Sequence, residues 1–122
     1  RIIGVEPVGA QGMRRALEAG RVITLDGVDT IAEGLAPPFA GANTLEIVQR
    51  LVSDVVAIPD SAIREGLRFL FERARVVAEA SGAAAVAALL TGAVVPRPGE
   101  RVVAIVSGGN VDLERYRELL AR

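Results

Sequence analysis

A short stretch of small and polar residues near the C-terminal end could contact a bound ligand. The sequence SGGN, at residues 107–110, follows an apolar run at residues 102–106 and precedes an amphipathic helical pattern. Ligands of parallel α/β proteins bind beyond the carboxyl ends of the strands, and glycines let the backbone approach a ligand closely. A serine hydroxyl there can donate a hydrogen bond to a ring nitrogen or accept one from it. A tight strand-to-helix turn, capped by Asn110 or Asp112, explains the same residues equally well.

Two carboxylates and one glycine are further candidates. Glu79 precedes an alanine-rich helical pattern, where a carboxylate either serves a site or, more often, adds favourable charge at a helix start. Glu6 follows the first apolar run and, with loop carbonyls, could ligate Mg²⁺ or Ca²⁺, although such a residue is more often solvated. Gly34, in the sequence TIAEGL, could let the backbone approach a ligand or could simply permit a turn.

The residue types that are absent exclude several kinds of chemistry. The chain has no Cys, His or Lys. A thiolate nucleophile, a disulfide, a zinc site of the usual ligands and histidine acid–base catalysis are therefore excluded. A Schiff base through a lysine side chain is excluded as well.

The elements that would position these residues alternate between strands and helices. Continuous β-branched runs predict buried strands at residues 2–5, 55–58, 76–78 and 102–106. Apolar residues at helical spacing predict helices at residues 12–19, 43–52, 61–74, 81–91 and 112–121. The pattern indicates an α/β fold with a mostly parallel sheet flanked by helices.

The ends of these helices and the largest gap between them also have recognisable signals. We expect Asn43 and Ser81 to cap their helices, and Gly20 and Gly92 to follow helix ends. The small side chains of the alanine-rich helix predict close approach to a neighbouring element. Residues 21–42 contain paired prolines and several glycines, which predicts a long loop.

Composition limits the class of protein further. The 122 residues are 51% apolar, carry a formal net charge of −1 and include three Phe and one Tyr. Neither a basic patch nor a set of stacking aromatics for nucleic acid is present. No apolar run reaches the roughly 18 residues of a membrane span, and a cytoplasmic protein is the default expectation. Because the chain begins within a strand-like run and without Met, we expect residues 1–122 to be a single α/β segment of a longer polypeptide.

Four motifs together resemble a known enzyme group. They occur in the order GVEP, DTIAEGL, VVAEASGAAAVAAL and VSGGNVD. This pattern resembles the C-terminal part of the threonine/serine dehydratases and serine racemases, which are pyridoxal-phosphate enzymes of fold type II related to the tryptophan synthase β-subunit. Each motif alone is weak, but the four in this order are specific, and the resemblance runs over essentially all 122 residues.

The resemblance implies a role for each residue of the SGGN stretch. Ser107 matches the serine that hydrogen-bonds the pyridine nitrogen of pyridoxal 5′-phosphate, and the loop around it is shaped by Gly108, Gly109 and Asn110. A neutral serine leaves that nitrogen unprotonated, which suits elimination better than transamination.

The resemblance implies two further cofactor contacts. Glu79 matches an acidic residue close to the ring, and Gly34 would lie near the reactive edge of the cofactor. Two neighbours depart from the usual pattern, since Glu33 replaces a commoner Asp and Ser81 follows Ala80 where a proline is more usual.

A divalent cation is implied only weakly. In metal-dependent relatives, the glutamate at the position of Glu6 acts with a carbonyl at Ala10 and an acid two residues later. That last position is Gly12 here, so a hard ligand and its charge are missing.

The resemblance also implies what lies outside this segment. The Schiff-base lysine, the substrate-carboxylate loop and the glycine-rich phosphate loop of the family all precede the matched part. We therefore expect no catalytic residue here, no activity from this segment alone, and partnership with the N-terminal part of the same enzyme in a homo-oligomer. The implied reaction is deaminating elimination of L-threonine or L-serine to a 2-oxo acid and ammonia. Serine racemase and a non-catalytic α/β module that binds a small ligand or anion are the alternatives.

Overall fold

Two short parallel strands form the sheet of this computed structural model, which describes residues 1–121. The pairing runs in register from Ile3 opposite Asp54 to Pro7 opposite Ile58. It is extended at both ends, because Val8 N–H donates to Ile58 O at 2.8 Å and Ser53 N–H donates to Ile2 O at 2.8 Å. The elements in chain order are β1 (Ile3–Pro7), α1 (Gly12–Ala19), a 3₁₀ turn (Glu33–Leu35), α2 (Ala42–Leu51), β2 (Asp54–Ile58), α3 (Asp60–Phe69) with a π-helical extension (Leu70–Ala74), α4 (Ala80–Leu90) and α5 (Leu113–Ala121).

Helices α3 and α4 build the main core by close contact of small residues. A side chain on Gly66 of α3 would lie 2.9 Å from Ala83 O and 3.0 Å from the Ala87 methyl carbon of α4. The predicted close approach of the alanine-rich helix is therefore confirmed. Around this contact Ile58, Ile63 and several alanines are buried, which gives α3 and α4 a fixed mutual position.

A smaller cluster joins α1 to α2. Ala16, Ala40 and Leu45 are buried there, and Met13 and Leu17 pack against them. The loop between the two helices is irregular apart from the 3₁₀ turn and a bridge between Thr24 and Phe39, as the sequence predicts.

Two of the predicted strands are not strands in the structure. Residues 76–78 and 102–106 are irregular, whereas the strands predicted at 2–5 and 55–58 are present as β1 and β2. A strand needs a neighbour for its backbone hydrogen bonds, and neither run has a ladder partner within residues 1–121. Val103 and Ile105 are 86% and 71% exposed, so the described residues leave much of the second run uncovered.

The predicted helices are present, but two predicted caps are wrong. α2 begins after Gly41 and no side chain caps it, so Asn43 lies inside the helix. α4 begins after Glu79, so Ser81 is its second residue rather than its cap. Gly20 is confirmed as the end of α1, with a left-handed φ of 66°.

Helix α5 packs against the main core at the C-terminal end of the described residues. Asp112 precedes α5, and its carboxylate accepts a hydrogen bond from Arg115 N–H at 2.8 Å, as expected of a cap. Tyr116 and Leu119 of α5 are buried against the main core.

Within residues 1–121, every helix is too short or too polar to span a lipid bilayer.

Candidate functional site

A cleft of about 320 Å³ lies where the 3₁₀ turn, the start of α4 and the segment before α5 meet. Three of the implied cofactor contacts line it, namely Gly34, Glu79 and Asn110. The full lining comprises Ile31, Glu33, Gly34, Glu79, Ala80, Ser81, Asn110, Val111, Asp112, Arg115 and Leu119. Residues far apart in the sequence therefore share one concave surface.

Glu79 is the half-buried residue that immediately precedes α4. Its extended backbone conformation and its carbonyl, which accepts from Ala83 N–H at 3.2 Å, are those of a helix N-cap residue. The more common role for such a carboxylate, a charge at a helix start, thus fits the structure. The same position places Glu79 on the cleft, so the two interpretations are compatible.

The paired glycines are explained by close packing of Gly108 and Gly109 against residues at and just before the start of α4. Gly108 O accepts a hydrogen bond from Glu79 N–H at 3.1 Å, and a side chain on Gly108 would overlap the Glu79 carboxylate. A side chain on Gly109 would lie 3.0 Å from Val77 O. A side chain on Gly82 of α4 would overlap Gly108 O. Glycine is thus required at position 82, where the neighbour is backbone, whereas a side chain at position 108 would displace the Glu79 carboxylate.

Ser107, Gly108 and Gly109 do not line the cleft itself. Ser107 is exposed, and Gly108 is half-buried against Glu79. Of the SGGN stretch, only Asn110 reaches the lining.

Gly34 is held in place by a side chain that the sequence analysis treated as a helix cap. Gly34 N–H donates to Ser81 Oγ at 2.9 Å. The segment before Gly34 is held by Asp60, whose carboxylate accepts from the Thr30 hydroxyl at 2.6 Å and from Ile31 N–H at 2.9 Å. Sequence reasoning missed Asp60, because an aspartate at a helix start has no signal that distinguishes a loop anchor from a cap.

The charged side chains around the cleft are three acids and one arginine. Glu33, Glu79 and Asp112 line it together with Arg115. Arg115 lies 4.0 Å from the Glu33 carboxylate and 3.3 Å from that of Glu118, and all three side chains are substantially exposed. Exposed ion pairs contribute little to stability. Sequence analysis missed Arg115, because an arginine in an amphipathic helix is ordinarily a solvated residue.

The residues around Glu6 do not fit the implied cation site. Both Glu6 oxygens accept hydrogen bonds from the first turn of α1, one from Met13 N–H at 2.8 Å and the other from Arg14 N–H at 2.9 Å. The positive end of the helix dipole thus already balances this carboxylate. Gly12 supplies no side-chain ligand, and no group of three or more acids within residues 1–121 is arranged to hold a metal.

Comparison with known proteins identifies the family. The sequence profile described as "pyridoxal-phosphate dependent enzyme" matches residues 1–108. The L-threonine ammonia-lyase of Thermotoga maritima is 37% identical over 120 residues, which cover 98% of this chain and 29% of that protein.

Two solved structures are similar over almost the whole chain. The processed form of threonine deaminase isoform 2 from Solanum lycopersicum has a TM-score of 0.88 at 31% identity, with coverage of 99% of this chain and 36% of that one. Maize serine racemase has a TM-score of 0.79 at 35% identity, with coverage of 99% and 39%. The chain spans less than two fifths of the length of these curated relatives and structures. With its profile match and its fold type II architecture, the chain belongs to the family of pyridoxal-phosphate dependent enzymes.

Proposed function

We propose that this chain forms the ring-nitrogen side of the cofactor site in a pyridoxal-phosphate dependent L-threonine or L-serine dehydratase. The observation that carries the proposal is the meeting of separate segments at one cleft. Gly34, Glu79 and Asn110 line that cleft, and Gly108 packs directly against Glu79. Convergence of residues distant in sequence is what a binding site requires.

The side chains suit the ring of the cofactor. The exposed hydroxyl of Ser107 can donate to the pyridine nitrogen, and Glu79 would lie beside the ring. Gly34 would face the reactive edge with its exposed backbone, and Asn110 would close the same wall. When bound, pyridoxal phosphate stabilises the electron pair left on the substrate α-carbon after its proton is removed. The protein residues orient the ring and limit its protonation through a neutral partner.

The proposed reaction is balanced without an additional reagent. The substrate loses its α-proton and its β-hydroxyl, which leave as water, and a water molecule then displaces ammonia. L-threonine or L-serine thereby yields one 2-oxo acid and one ammonia. Because residues 1–122 contain no Lys, the group that carries the cofactor must come from another part of the enzyme.

The proposed partner is a lysine-bearing N-terminal part of the same polypeptide. Two observations support this. The chain spans 28–37% of the length of its curated relatives, and the apolar run at residues 102–106 is exposed. Exposed apolar patches of this kind usually mark contact surfaces. We also propose that the complete enzyme is a homo-oligomer, which light scattering of the full-length protein tests.

A racemase is the second candidate, because maize serine racemase is similar over 99% of this chain. The two reactions differ in their products. A dehydratase releases a 2-oxo acid from L-threonine or L-serine, whereas a racemase returns the proton to the opposite face and yields D-serine. A non-catalytic small-ligand or anion-binding module, the third alternative, yields neither product.

The test is incubation of the full-length protein with pyridoxal phosphate and each amino acid. Formation of a 2-oxo acid with an equal amount of ammonia supports the proposal. Formation of D-serine without ammonia supports the racemase instead. Absence of both products, together with absence of a cofactor adduct in the intact mass after borohydride reduction, supports the non-catalytic module.

A further inference from the structure

We infer that Asp60 and Ser81 are positioning residues that together fix residues 30–34, and with them Gly34, relative to Glu79 across the cleft. The part of the inference that concerns cofactor geometry rests on the proposed function. The hydrogen bonds from Asp60 and Ser81 to residues 30–34 are called the tether below. The part of the inference that concerns the tether itself rests only on these hydrogen bonds within the chain.

The Asp60 side of the tether holds three consecutive residues. One carboxylate oxygen accepts from the Thr30 hydroxyl at 2.6 Å, and the other accepts from Ile31 N–H at 2.9 Å. The Thr30 hydroxyl oxygen in turn accepts from Ala32 N–H at 3.1 Å. Hydrogen bonds to an ionised carboxylate are shorter and stronger than neutral ones. Asp60 also begins α3, where the helix dipole favours its negative charge.

The Ser81 side holds the last residue of the segment. Gly34 N–H donates to Ser81 Oγ at 2.9 Å. A side chain on Gly34 would lie 2.9 Å from that same oxygen and 3.2 Å from Ser81 Cβ, so glycine is what permits the contact. Ser81 is half-buried in the first turn of α4, which limits the freedom of its hydroxyl.

Asp60 and Ser81 belong to two helices that pack closely against each other. Asp60 begins α3 and Ser81 lies at the start of α4, and these helices pack closely through Gly66. Between the anchors Ala32 is fully buried in the main core. The rest of the loop at residues 20–41 has little regular structure, and long loops of this kind adopt several conformations unless they are tied down.

The consequence is a fixed distance across the cleft. Ser81 lies two residues after Glu79, so the bond to Ser81 ties Gly34 to the same helix start that holds the Glu79 carboxylate. Both residues line the cleft. Loss of the Ser81 hydroxyl would leave Gly34 N–H without its partner and would let one wall of the cleft move relative to the other.

Hydrogen exchange in the cofactor-free, full-length protein tests the tether. Ser81→Ala should accelerate exchange of the Gly34 amide about 5- to 10-fold, the size expected for loss of one hydrogen bond. Ser81→Thr retains the hydroxyl and should preserve the slow exchange. Ser61→Ala is the matched control, because Ser61 occupies the same second position of α3 but is exposed and lies outside the cleft.

The Asp60 anchor is tested in the same way. Asp60→Asn replaces one acceptor oxygen with an amide donor and should accelerate exchange at Ile31 and Ala32 by a similar factor. Asp54→Asn is its control, since that carboxylate accepts only from the adjacent Val55 N–H in the described residues. Unchanged exchange at residues 31–34 in both Ser81→Ala and Asp60→Asn would overturn the tether.

Cofactor binding tests the positioning role separately. We expect Ser81→Ala to weaken pyridoxal phosphate binding about 3- to 10-fold and to change its absorption spectrum, with Ser81→Thr close to the unsubstituted protein. Faster exchange with an unchanged spectrum and affinity would overturn the positioning role. Failure of the unsubstituted protein to bind the cofactor would contradict the proposed function instead, and the exchange comparison would still decide the tether.

Discussion

Glu79 and Gly108 contact each other through both backbone and side chain. The N–H of Glu79 donates to the carbonyl of Gly108 at 3.1 Å, and the Gly108 α-carbon lies so close to the Glu79 carboxylate that a methyl group there would overlap it. This contact links the SGGN stretch to the start of α4. The position of the Glu79 carboxylate therefore depends on a glycine almost thirty residues away in the sequence.

The same contact predicts a large stability loss for one glycine substitution. In Gly82→Ala the new methyl group would overlap the backbone oxygen of Gly108, which cannot rotate away. Overpacking of this kind costs about 1–3 kcal/mol, even though alanine favours a helix. Chemical denaturation should therefore show a lower free energy of unfolding. Gly27→Ala is the control, because nothing lies within 4 Å of its added carbon. Equal stability of the two variants would contradict the packing.

Glu6 is predicted to stabilise α1 as a cap and not as a metal ligand. Glu6→Gln removes the charge and one of the two acceptor oxygens at the helix start, and should lower the free energy of unfolding by about 1 kcal/mol. Glu18→Gln should have little effect, because Glu18 is exposed and pairs only with Arg14 in the described residues. Thermal melts with Ca²⁺, Mg²⁺ or a chelator should coincide. A Ca²⁺-dependent rise in Tm that Glu6→Gln abolishes would show that the cap interpretation is wrong.

Because the Tyr116 hydroxyl is buried, we expect the free energy of unfolding to fall at alkaline pH. Burial raises its pKa above the usual value of about 10, and its buried hydroxyl has no hydrogen-bond partner among the described residues. Above that pH the unfolded tyrosine ionises while the folded one stays neutral, so stability falls as the pH rises. Tyr116→Phe keeps the edge-to-face contact with Phe71, whose ring centre is 5.8 Å away. Its Tm should therefore fall less steeply than that of the unsubstituted protein above about pH 10, and parallel curves would refute the assignment.

The exposed run at residues 102–106 predicts self-association of residues 1–122 when they are produced alone. Val103 and Ile105 are 86% and 71% exposed, which leaves an apolar strip without cover from the described residues. Replacing both by Lys should reduce association in sedimentation experiments, whereas Ile47→Lys on the exposed side of α2 should not. A sharp melt that is independent of protein concentration would contradict this prediction.

Much of the fold could be predicted because its signals are local. The apolar spacing of residues 12–19 predicts α1 with its observed bounds, and Gly20 ends it in the left-handed conformation. Strands depend on partners elsewhere, so an apolar run is not sufficient. Residues 102–106 have the pattern of a strand but lack a pairing neighbour within residues 1–121. Asn43 likewise has the type of a cap, but the helix begins one residue earlier.

Only the site residues that belong to recognisable motifs could be predicted from the sequence. The resemblance singles out Gly34, Glu79 and Asn110, which the structure brings to one cleft. The resemblance does not reveal which residues hold these three in place. Hydrogen bonds between residues distant in the sequence, such as that between Gly34 and Ser81, follow no fixed spacing that a motif could show. Gly82 shows the same limit, since the need for glycine there comes from the Gly108 backbone that the fold places beside it.

Titration of the full-length protein with pyridoxal phosphate is the most direct test of the central claim, that this chain forms the ring-nitrogen side of the cofactor site. The unsubstituted protein should bind the cofactor, and Ser107→Ala should weaken binding about 3- to 10-fold through loss of one hydrogen bond. Ser53→Ala, at an exposed position before β2, should leave the affinity unchanged. Equal affinity of Ser107→Ala and the unsubstituted protein, or no binding by either, would contradict the claim.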